Sequence, residues 1–147
     1  MHARLHRGLI IAAAFTALVC SPALAQGGKP LSADLEGEVE VPVTGDLDAT
    51  GHATLRLNSG QGTVCYNITV ESVAPIFAAH VHSGSVGQPG PIVVNLPPAN
   101  GVIAGCTTGV ARDLIKDIRQ NPSNYYVNVH NMPFPGGAAR GQLDHGS

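Results

Sequence analysis

Charge is scarce in this chain of 147 residues: eight Lys and Arg stand against ten Asp and Glu. The basic residues form no patch, which excludes the electrostatic footprint of a nucleic-acid-binding domain. No run of like charge suggests an acidic tail. Long apolar runs are missing too. The longest, Gly8 to Val19, has twelve residues, and a membrane-spanning helix needs about 20. There is no internal repeat and no low-complexity segment. The common catalytic signatures are also absent. "SGSVG" at 83–87 lacks both the G-x-S-x-G spacing of a nucleophile elbow and a following helix. Gly84, Gly87 and Gly90 recur every three residues, but no Lys or helix follows to cradle a phosphate. They read as turn glycines.

The twelve-residue apolar run lies behind His2, Arg4, His6 and Arg7, and ahead of "ALA" at 23–25. Basic, apolar and small-residue regions in that order predict a secretory signal peptide over 1–25, cleaved after Ala25. The expected product is an exported protein, periplasmic or extracellular, with no membrane span once the signal is removed. Cys20 leaves with the signal. Residues 26–34 read as a polar lead-in, 35–143 as one domain and 144–147 as a tail. Two cysteines remain, Cys65 and Cys106. In an oxidising compartment they are expected to pair. A Cys/His metal site is the rival, but neither cysteine has a second ligand at the usual spacing.

Alternation dominates the rest. "ATLRL" puts Ala53, Leu55 and Leu57 on one face; "VCYNITV" does the same with Val64, Tyr66, Ile68 and Val70. A period of two marks half-buried strands, and "LNSGQGT" between them has hairpin chemistry. Further strands are expected over 35–41, 76–82, 92–96, 125–130 and 138–143. One segment breaks the pattern. "GVARDLIKDIRQNP" gathers Val110, Leu114, Ile115 and Ile118 on one side, a short amphipathic helix over about 109–120 that Pro122 stops. Seven strands and one inserted helix predict an all-β, antiparallel β-sandwich.

The residues that could carry chemistry are histidines. Side chains at i and i+2 of a strand point the same way. In "AAHVHSG", His80 and His82 therefore share a face. In "YYVNVHN", Tyr126, Asn128 and His130 share another. If those strands are neighbours, three imidazoles converge, and a site built from imidazole alone suits copper or zinc. The competing reading is an ordinary polar strand face turned to solvent. His52 and His145 are expected in solvent. Glu36, Glu38 and Glu40 alternate, so they are expected to share one solvated face, with a cation site such as calcium as the less favoured reading. Arg140, in "GGAARGQL", is expected in a surface ion pair or beside the histidines as an anion guide.

Several blocks together, "EVPVTGDLDATGHATLRLN", "AAHVHSGSVGQPGPIVVNL" and "YYVNVHNMPFPGGAARGQL", resemble the chordin-like (CHRD) domain over about Leu35 to Leu143. That resemblance implies a secreted immunoglobulin-like β-domain and a binding module; it does not imply an enzyme. The histidine pattern also resembles the copper ligands of copper–zinc superoxide dismutase, another antiparallel sandwich with an internal disulfide. Carried over, His80, His82 and His130 would hold copper, with Arg140 nearby; Asn128, on the face of His130, is expected beside the ligands. The loop after His82 has no His or Asp, so a bridging histidine and a zinc subsite have no counterpart. The readings are therefore an exported binding module without evident catalytic machinery, its partner a protein or a metal; an exported mononuclear copper protein with redox or dismutase-like activity; and a structural or adhesion domain.

Overall fold

A computed structural model describes residues 30–146. The expected signal peptide, Cys20 and the start of the lead-in lie outside the described residues. Eight strands are present: β1 (Leu31–Glu36), β2 (Thr50–Asn58), β3 (Thr63–Glu71), β4 (Ile76–Ser83), β5 (Ile92–Asn95), β6 (Ile103–Thr107), β7 (Tyr125–Asn131) and β8 (Ala139–Gln142). One helix, α1 (Arg112–Gln120), lies between β6 and β7. The all-β, antiparallel reading with a single short helix holds.

The strands form one sheet in the order β5-β4-β7-β8-β1-β2-β3-β6. The sheet curls until its two edges approach. There the Thr107 hydroxyl donates to the Asn95 carbonyl, and the Tyr66 hydroxyl donates to the Pro97 carbonyl at 2.8 Å. The architecture is thus a single rolled sheet rather than two separate layers. The alternating residues named above point inward: Ala53, Leu55 and Leu57 from β2 meet Val64, Tyr66 and Ile68 from β3 in one apolar core. Ile115 and Ile118 of α1 join the same core, which explains why a helix of nine residues is stable so far below the length at which isolated helices hold.

Two expectations change. The first strand covers Leu31–Glu36, not 35–41. Leu31, Ala33 and Leu35 alternate inward, so the last residues of the supposed lead-in are strand. β6 was not anticipated. Only Ile103 of its five residues is fully inward, and Gly105 sits where a Cβ would come within 3.1 Å of the Tyr66 hydroxyl. A strand that offers one apolar side chain and a packing glycine has almost no periodic signal. β6 matters because it carries Cys106 directly opposite Cys65 of β3, and the two form a disulfide. Among the described residues no helix is long and apolar enough to cross a membrane.

Candidate metal centre

β7 is buried along its whole length. Tyr125, Val127 and Val129 enter the core. Alternation then forces Tyr126, Asn128 and His130 onto the outer face, where a solvated surface would be the default. Three loops reach over that face like a roof, 37–49 with Glu40 beside Asn128, 84–91 with the Gly90 carbonyl on His82 and 132–138 with the Pro135 carbonyl on His130, and Tyr126, Asn128 and His130 are buried.

β4 lies beside β7, with His80 opposite Asn128, His82 opposite Tyr126 and Ala78 opposite His130. The convergence that depended on these strands being neighbours is therefore met. Nitrogen atoms of His80, His82 and His130 all lie within 4.8 Å of one another. The ring of His80 brings Nδ1 to 3.0 Å from Nε2 of His130. Two nitrogen ligands at about 2.0 Å on a tetrahedral ion stand about 3.3 Å apart, so this pair is already near a metal bite.

Backbone carbonyls fix the protons. His130 Nδ1–H donates to the Pro135 carbonyl at 3.1 Å, and His82 Nδ1–H donates to the Gly90 carbonyl at 2.9 Å. Both Nε2 atoms therefore carry lone pairs. The lone pair of His130 accepts the His80 Nδ1 proton. That of His82 is buried and has no hydrogen-bond partner. A carbonyl behind each ligating imidazole is the usual way a metal site sets tautomer and ring orientation. Burial lowers the pKa of all three histidines, and burial together with the neighbouring His130 and His82 imidazoles brings His80 to about 4. At neutral pH all three are thus in the uncharged, ligating form.

The supports around the ligands come from β7 and β8. Tyr126 stacks on His82, with ring centroids 4.8 Å apart and planes 11° from parallel. Its hydroxyl accepts the Gly90 N–H at 3.1 Å, so Tyr126 holds His82 both by its ring and through Gly90, the residue whose carbonyl His82 donates to. The Arg140 guanidinium carbon lies 3.4 Å from the centre of the Tyr126 ring. Arg140 also donates to the Gln88 carbonyl, and Gln142 to the Gly84 carbonyl at 2.8 Å. Together these contacts pin the 84–91 loop over the site. Gly90 is a turn glycine for a steric reason: a Cβ there would fall 1.5 Å from the Ser83 carbonyl oxygen.

Of the two placements expected for Arg140, a surface ion pair or a position beside the histidines, the surface ion pair is not found. Arg140 is 2 % exposed and forms no ion pair within 4 Å; those found among the described residues are His52–Asp34 and Lys116–Asp113. The roof accounts for the difference, since it takes Arg140 out of solvent and gives it a carbonyl and a ring instead. The three glutamates do not share a face. β1 ends at Glu36, the chain turns at Gly37, and Glu36 and Glu38 stay in solvent while Glu40 turns inward. His52 and His145 are exposed as expected.

Glu40, expected on a solvated face with Glu36 and Glu38, is the polar residue whose burial the sequence did not signal. Its Oε1 accepts the Val41 N–H at 3.0 Å, while Oε2 is buried without a partner. Burial raises its pKa, and the Val41 N–H, Arg140 and Asn128 oppose that rise. Gly137 makes room for it: a Cβ at Gly137 would stand 2.4 Å from Glu40 Oε2 and 2.9 Å from Asn128 Nδ2. The paired glycines of "FPGGAARGQL" were the one available signal, since a glycine beside a strand start often marks close approach.

Comparison with known proteins gives one match. The family model of the CHRD domain matches residues 31–143, which cover the eight strands and the helix. No curated protein and no solved structure matches the chain.

Proposed function

Because this chain belongs to the CHRD domain family, we propose that it is an exported binding module whose ligand is a single transition-metal ion, copper or zinc, held by His80, His82 and His130. The observation that carries this reading is the buried, unpartnered Nε2 of His82, in a group of three neutral histidines whose ring nitrogens come within 4.8 Å of one another. Leaving a buried acceptor unsatisfied costs about 1–3 kcal/mol. A cation bound to its lone pair removes that cost. A solvated strand face or a purely adhesive surface gives no reason for it.

Imidazole donors with no thiolate or carboxylate among them suit copper and zinc. A bound copper ion would supply one-electron redox chemistry, and a bound zinc ion Lewis acidity. The chain's own residues do the rest: His130 and His82 present lone pairs, Pro135 and Gly90 hold their protons, and the loops exclude water. The His80 Nδ1 proton rests on His130 Nε2, so for His80 to ligate through Nδ1 that proton would have to sit on its Nε2 instead. The signal-like N-terminus and the disulfide support export.

The test is a Cu(II) titration of the disulfide-closed protein, read by electron paramagnetic resonance, beside the His80→Ala/His82→Ala variant. The native protein should bind one Cu(II) at least about 100-fold more tightly, with several nitrogen ligands in the spectrum. Equal affinity for the two proteins ends the metal reading.

A further inference from the structure

We propose that Glu40 is the counter-charge of the metal centre, a carboxylate that sets the site's preference for divalent over monovalent ions without touching the ion. The proposal rests on the three-histidine reading above.

Three neutral imidazoles bring no negative charge to the ion they hold. The roofed face already carries the guanidinium of Arg140, which is buried. A divalent cation would raise the charge under the roof to +3. Desolvated charge of one sign is costly, and an anion nearby offsets it. The carboxylates that could serve can be read off the strands. Asp34 and Glu36 share the outer face of β1, and Glu36 is the register partner of Arg140. Both lie in solvent, where water and salt screen them. Glu40 alone goes beneath the roof, 5 % exposed.

Its placement fits a field role better than a hydrogen-bonding one. Oε2 completes no hydrogen bond of ordinary geometry, the Asn128 amide being its nearest polar neighbour, and no ion pair joins Glu40 to Arg140 within 4 Å. Its neighbour across the Gly137 gap is Asn128, whose Oδ1 is also buried and unpartnered. Asn128 lies opposite His80 on one side and opposite Arg140 on the other, so the carboxylate sits one side chain away from the ligands. At a separation of about 10 Å in a medium of effective dielectric about 20–40, one negative charge favours a dipositive ion by at least about tenfold in affinity.

Coulomb energy scales with the charge of the ion, and this separates a field from a merely structural role. Zn(II) and Ag(I) serve as divalent and monovalent imidazole-binding probes that need no reductant, which spares the disulfide. Affinities are measured by chelator competition at pH 8 for the native protein and for Glu40→Gln, which keeps the shape and removes the charge. The expected result is a loss of about tenfold for Zn(II) and about threefold for Ag(I), the square root of the first. Equal losses for the two ions, or none, overturn the counter-charge while leaving the histidine site standing. A native protein that binds neither ion overturns both readings. Glu40→Gln should fold as well as the native protein without metal, because the carboxylate leaves Oε2 unpartnered in that state. A variant that unfolds before metal is added makes Glu40 a structural partner of Arg140, and the proposal fails.

Discussion

Acid should weaken this metal site far less than it weakens an ordinary cluster of histidines. An imidazole of pKa about 6.5 is about 90 % neutral at pH 7.5 and about 10 % neutral at pH 5.5. Three such ligands competing with protons therefore lose about a thousandfold in metal affinity over those two pH units. Here His80 is held down to about 4. At pH 5.5 it is still almost wholly neutral and contributes almost nothing to the loss. His82 and His130 are lowered as well, chiefly by burial, so each loses less than the ordinary tenfold. The total fall between pH 7.5 and 5.5 should stay under about a hundredfold. The assay is Zn(II) competition against a chromophoric chelator, with the chelator's own protonation corrected. A thousandfold fall refutes the reasoning, because it means the roof does not keep the imidazoles neutral. The metal-free protein gives the same sign. The unfolded chain binds protons on these histidines near pH 6.5 and the folded one only lower, so this share of stability is complete above pH 6.5. It is lost as the pH falls from there through about 4.

Two further changes test the frame around the site. Opening the disulfide, by Cys65→Ser with Cys106→Ser, releases a loop of sequence separation 41. Chemical denaturation should show a loss approaching about 4 kcal/mol, with a loss under about 1 kcal/mol contradicting a role in holding β6 to β3. Gly137→Ala puts a methyl 2.4 Å from Glu40 Oε2. Thermal melting should report a destabilisation of about 1–3 kcal/mol, and an unchanged melting temperature would show that Glu40 swings freely out of the roof.

Side chains that alternate were legible; those placed by loops were not. β2, β3, β4 and β7 could be read because every second residue is apolar and the core demands it. The same alternation put His80 with His82 and Asn128 with His130, so the ligand set followed once two strands were neighbours. Pairing itself is a long-range fact that period two does not encode. Glu40 escaped because its pattern with Glu36 and Glu38 looks like a strand, while β1 has already ended and the chain has turned. The burial of Arg140 escaped for a related reason. Its strand face is outward by alternation, and only the loops, which have no period, decide that outward is not exposed.

The roof over β7 divides the site's control between two kinds of structure. The spacing of the three imidazoles belongs to the sheet, which has little freedom to change it. The positions of their protons belong to the carbonyls of Gly90 and Pro135, which ride on loops. A loop that lifts by an ångström or two leaves every ligand where it was and still lets an imidazole turn over or take up the wrong tautomer. Affinity in this protein is therefore open to tuning from residues that never approach the ion, at positions of 84–91 and 132–138 other than the close-packed Gly90 and Gly137.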